Sequence, residues 1–165
     1  MFGADVVLEG HRINRGGAGL DGDQVVDCAG QLVVPGFIDC HTHVALTQRL
    51  GARIPHRLPR SAQWLSVVPV LRTLLRRGVT TVRDAWGADA GVRWAVEQGW
   101  IEGPQVLVSL RQVCTTGGIG DHWSPELGGV VAVDDPSMPD PVFDAPDTAQ
   151  AVVRRMIRAC RTGSR

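Results

Sequence analysis

From Phe37 onward the chain alternates short apolar runs with longer amphipathic stretches, and this order narrows its fold more than any other feature. The runs are Phe37 to His43, Val79 to Asp84 and Pro104 to Leu110. Their length and their β-branched content predict strands. Between the first two, Ser61 to Arg77 reads as a helix, with Leu65, Val68, Leu71 and Leu75 near one face and Arg72, Arg76 and Arg77 outside it. Pro69 predicts a kink, or a helix start a few residues before it, and Gly78 is the natural stop. Between the second and third runs, Ala88 to Gly99 gives a shorter helix with Val92, Ala95 and Val96 on one face. Strands that alternate with helices pair parallel through right-handed crossovers. The expected fold class is therefore α/β.

The flanks are less regular. Asp5 to Glu9 reads as a strand, followed by a turn at Gly10 and a second short run ending at Ile13. Gly16 to Asp23 is a turn, and Gln24 to Asp27 and Gln31 to Val34 are two more strand candidates. Pro35-Gly36 marks a hand-over, which divides the chain into residues 1–35 and 36–165. Val44 to Arg60 reads as a connecting loop, and Cys114 to Pro146 as a long segment with little periodicity. Asp147 to Arg161 is a packing helix whose stripe is Ala149, Val152, Val153, Met156, Ile157 and Cys160, with Asp147 and Gln150 spaced as a capping box.

Chemistry concentrates at the first run. His41 and His43 are separated by one residue, and on a strand residues i and i+2 share a face. Two imidazoles held side by side can bind one transition-metal ion, zinc above all. Alternation puts Asp39 on the same face and turns Cys40 away to pack. In parallel α/β barrels the active site lies at the carboxyl ends of the strands, where His41, His43, Asp84 and the loop leaving the third run would all fall. Asp84 is expected to be structural, bracing that rim by accepting backbone hydrogen bonds or pairing with Arg83. The tryptophans at 64, 86, 94 and 100 are read as packing residues.

Composition excludes several classes. The 17 basic residues, all arginine, balance 17 acidic ones, so no electrostatic field favours nucleic acid or an anionic membrane. No apolar run approaches the roughly 20 residues that span a bilayer. The N-terminus lacks the basic and apolar regions of a signal peptide. Four scattered cysteines without a Cys-x-x-Cys pair read as free thiols in a cytoplasmic protein.

Pro35-Gly36-Phe37-Ile38-Asp39-Cys40-His41-Thr42-His43 and Gly78-Val79-Thr80-Thr81-Val82-Arg83-Asp84 resemble the first two barrel strands of the amidohydrolase superfamily. Its members include dihydroorotases, hydantoinases, imidazolonepropionases and Xaa-Pro dipeptidases. The spacing Val25-x-Asp27-x-x-Gly30-x-x-x-x-Pro35-Gly36 also resembles that family's entry into the barrel. The resemblance implies part of a small β-sandwich over residues 1–35. It implies a truncated TIM (β/α)8 barrel, about three βα units, over 36–165. It implies a divalent metal, Zn(2+), as one or two ions in the full-length family, with His41 and His43 among its ligands. The implied reaction is attack by a metal-activated water on a carbon–nitrogen bond of a small-molecule substrate: a non-peptide amide, a cyclic amide or a dipeptide. A homo-oligomer is also compatible with the family.

Thr115-Thr116-Gly117-Gly118-Ile119-Gly120-Asp121-His122 resembles a Thr-Gly-Gly-His-Gly-Asp loop of the Xaa-Pro dipeptidase-like branch, with Ile119 in place of its histidine and His122 three residues on. It implies substrate contacts from Gly117, Gly118, Asp121 and His122. The family's remaining ligands and its proton-shuttle carboxylate come from later strands, and the chain has no lysine to supply the usual bridging ligand. The expectation is thus the N-terminal portion of a longer amidohydrolase, inactive alone, with no catalytic residue assigned. The alternatives are a non-catalytic half-barrel that binds a complementary chain, and a metal-binding protein unrelated to hydrolysis.

Overall fold

The computed structural model of the chain describes residues 3–45, 60–121, 123, 125 and 138–161. It divides into two compact units, residues 1–35 and 36–165.

The first unit is built on an antiparallel hairpin of β1 (Asp5–Glu9) and β2 (Arg12–Gly17). Gly10 supplies the turn at φ 59°. The Asp5 carboxylate accepts the amides of Gly19 and Leu20, at 2.7 and 3.1 Å, and closes the chain behind β2. The strands expected at 24–27 and 31–34 do not form. Their local bonds are turn bonds instead: Ala29 N–H to the Asp27 carboxylate and Gln31 N–H to the Cys28 carbonyl. A strand exists only where a neighbour takes its backbone groups. Here Val25 and Val26, each 83% exposed, have none to pair with among the described residues.

The second unit carries a three-stranded, wholly parallel sheet in the order β3 (Phe37–Thr42), β4 (Val79–Asp84), β5 (Gln105–Val108). The α/β class with a parallel sheet is as the sequence implies. Helices α1 (Arg60–Leu65) and α2 (Val67–Arg76) lie between β3 and β4, and α3 (Ala90–Glu97) between β4 and β5. The Asp89 carboxylate caps α3 by accepting from Val92 N. Val67, Leu71, Val82, Ala88, Val92 and Val106 form one core with Val44 and Ala45. Burial alternates along β4 and β5: Val82 and Val106 are buried, whereas Arg83 and Leu107 are exposed.

The helical stretch at 60–76 is two helices, with the break at Ser66. The second begins two residues before Pro69, where its missing N–H costs no intrahelical bond. The break resets the helical phase. The buried stripe is Val67 and Leu71, flanked by Trp64, Val70 and Leu74, while Leu65 is 66% exposed.

Helix α4 (Pro146–Cys160) packs Val152 and Met156 on Leu110, with Phe143, Ala159 and Cys160 around them. Val153 and Ile157, expected in that stripe, are about half exposed. Its start is not the Asp147–Gln150 box. Pro146 occupies the first helical position, and the Thr148 hydroxyl accepts the N–H of Ala145 at 3.0 Å. Among the described residues no helix is long and apolar enough to cross a membrane.

Candidate metal centre

The carboxyl ends of β3 and β4 meet at a rim. The pairing Asp39 with Val82 and Thr42 with Asp84 leaves one extra residue in β3, a bulge at Cys40 and His41. That bulge turns Asp39 out of the expected constellation. Its carboxylate folds back to accept the N–H of His41 at 3.0 Å. The two imidazoles do come together: their ring centres lie 5.3 Å apart at an interplanar angle of 79°. His41 is exposed and His43 half-buried. Cys40 is an exposed free thiol, not a packing residue, and its carbonyl accepts the Arg83 guanidinium.

His43 is held from one side. Its Nδ1 lies 3.2 Å from the Trp86 carbonyl, and the Trp86 ring stands edge-on at 6.4 Å. Beneath it Asp84 is fully buried. The Asp84 carboxylate accepts Val44 N–H at 2.7 Å and Ala88 N–H at 3.0 Å, and Trp86 N–H as well. The main chain of Asp84 also joins the next strand, its carbonyl accepting Ser109 N–H and the Ser109 hydroxyl. Asp84 is thus the rim brace that its position implies. Burial pushes its carboxyl above the ordinary aspartate range, against the downward pull of those amides and of His43.

Two imidazoles on one tetrahedral zinc, each bonded at about 2 Å, place their ring centres roughly 5 Å apart. The observed 5.3 Å suits two ligands of such an ion. Among the described residues, no group of three or more His, Cys, Asp or Glu side chains could hold a metal.

The glycine loop is a closed structure of its own. Gly117, at φ 73°, donates its N–H to the Asp121 carboxylate at 2.8 Å, and the other Asp121 oxygen takes Trp123 N–H. Gly120 is buried, and a Cβ there would sit 2.1 Å from the Gln112 carbonyl oxygen. Thr116 ties the loop to the start of α4, its amide and hydroxyl both bonding the Asp144 carboxylate at 2.9 and 2.6 Å. Those two bonds hold the Asp144 carboxyl below the usual aspartate range. No hydrogen bond or ring contact joins Gly117, Gly118 or Asp121 to the histidines among the described residues. His122 lies outside the described residues, as does His56.

Two contributors escape a reading of the sequence. Trp86 serves the site through its carbonyl, which any residue type would provide, so its indole gave no signal. The pair Thr116 and Asp144 is 28 residues apart with no periodicity to link it.

Residues 32–160 match the amidohydrolase family. A solved amidohydrolase superposes with a TM-score of 0.78 at 30% identity, over 96% of this chain and 40% of its own. A prolidase solved with N-methylphosphonate-L-proline gives 0.63 at 29%, over 93% and 39%. The 5-methylthioadenosine/S-adenosylhomocysteine deaminase of Thermococcus sibiricus is 32% identical over 100 residues, 58% of this chain and 22% of that protein. The chain spans about two fifths of the length of these solved relatives. With the family match extending over most of its residues, this chain belongs to the amidohydrolase family.

Proposed function

We propose that the chain carries the first metal-binding strand of a hydrolase that cleaves carbon–nitrogen bonds in small molecules, within a partial (β/α)8 barrel preceded by part of a β-sandwich. One observation carries this reading: His41 and His43 meet at the carboxyl end of a parallel strand at a spacing that suits two zinc ligands. A divalent metal there supplies Lewis acidity and a water acidified to near neutrality. The chain's own residues orient the two rings. Asp39 holds the backbone at His41, and the Trp86 carbonyl holds the ring of His43. Gly117, Gly118, Asp121 and His122 would contact substrate from the neighbouring loop. The relatives named a prolidase and a deaminase support carbon–nitrogen cleavage as the reaction class.

Two imidazoles fall short of the three protein ligands of catalytic zinc sites. The 165-residue chain is therefore expected to bind zinc weakly and to hydrolyse no amide. Calorimetric zinc titration of the wild-type chain and of His41→Ala and His43→Ala tests the site. Either substitution should remove the binding. Zinc binding unchanged in both variants, or zinc-dependent amide turnover by the wild-type chain alone, would refute the reading.

A second reading is favoured by the bare side of the sheet, where Ile38 is 66% and Leu107 48% exposed. There the chain is a half-barrel that docks a complementary chain bearing the remaining strands, small-molecule chemistry belonging to the pair.

A further inference from the structure

His43 touches a carbonyl, and a carbonyl oxygen can only accept. A neutral imidazole that faces one through Nδ1 must carry its proton there, which leaves Nε2 as the lone-pair nitrogen. The contact, at 3.2 Å, is between side chain and main chain, so its geometry depends on what fixes the peptide of Trp86. That peptide follows β4 in a tight turn wrapped around one carboxylate. Asp84 takes Val44 N–H, from the residue just after His43, and Ala88 N–H, two residues past Trp86. It also takes the N–H of Trp86 itself. One buried carboxylate therefore pins the main chain on both sides of the contact. The Ala85 N–H to Thr42 carbonyl bond at 2.8 Å keeps the two strand ends in step.

We propose that Asp84 is a positioning residue for His43: through the backbone of Trp86 it keeps the imidazole proton on Nδ1 and presents Nε2 as the open donor. Only the link to metal affinity rests on the reading that His41 and His43 hold a divalent ion. A carboxylate that merely stabilised the turn would leave the tautomer alone, and that difference is measurable.

The experiment is long-range proton–nitrogen correlation NMR on the 15N-labelled, metal-free 165-residue chain, held above the titration range of histidine. Wild type should show His43 in the Nδ1–H form; the Nε2–H form would overturn the proposal. Asp84→Asn puts an N–H₂ group among N–H donors. In a folded Asp84→Asn chain the Nδ1–H preference should be lost, and zinc affinity by calorimetry should fall about 10- to 100-fold. An unchanged tautomer in that folded variant would overturn the proposal. Trp86→Ala keeps the carbonyl and should keep the tautomer, and its loss there would overturn the main-chain route. If Asp84→Asn does not fold, an Nε2–H form in wild type, or a tautomer lost in Trp86→Ala, still overturns the proposal. Val152→Ala, in the separate core around Leu110, serves as the destabilised control and should alter neither readout. The preference seen in wild type and lost in Asp84→Asn, with no zinc bound by either, would support the positioning role while removing the metal reading.

Discussion

Asp39 marks where alternation stops predicting. The i, i+2 rule brought the two histidines together but placed Asp39 beside them, and the bulge instead engages its carboxylate with the His41 amide. Bulges arise from the register between two strands, which neither strand's own residues disclose. Asp84 was legible because a carboxylate at a strand's end, beside a turn, has orphan amides to satisfy. Asp144 carries the pH prediction at this scale. Its carboxyl is held below the ordinary aspartate value by the Thr116 bonds. Its contribution to stability is thus present above the unfolded pKa of about 3.9 and lost as pH falls through the lower folded value. In an acid titration followed by NMR, the Thr116 amide should shift with a midpoint below that of an ordinary aspartate. Asp144→Ala should abolish the shift.

At the scale of elements, period decided what could be read. The runs at 37–43, 79–84 and 104–110 are short, apolar and bounded by glycine or proline, and each contains an observed strand. The runs at 24–27 and 31–34 have the same composition but gain no strand partner among the described residues, and composition does not encode partners. The phase of the helical stretch before β4 was misread because Ser66 divides it. This correction is testable by thermal or urea unfolding. Leu71→Ala should cost about 2–5 kcal/mol, as for a fully buried leucine. Leu65→Ala should stay within about 0.5 kcal/mol, as at exposed sites. In the glycine loop, Gly120→Ala forces a methyl against the Gln112 carbonyl. A cost of about 1–3 kcal/mol is expected, with displaced Thr116 and Gly117 amide resonances as the local sign.

For the molecule as a whole, the sheet is covered by a core on one side and bare at Ile38 and Leu107 on the other. Faces of that kind are buried in closed architectures or become contacts between molecules. Co-expression with a second chain carrying the later strands of a related amidohydrolase should yield a stable heterodimer on size exclusion. The single chain should self-associate as its concentration rises. Replacing Ile38 and Leu107 with serine should suppress both behaviours if they share this face.

The order of the strands has one more effect. β4 has a ladder neighbour on each side, whereas β3 and β5, among the described residues, have one each. Amides of β4 should therefore be slower to exchange with deuterium than those of the two edge strands. The imidazole pair sits at the end of one of those edges. An ion gripped by both rings and by groups outside β3 would act as a rivet, fastening that outer stave in place.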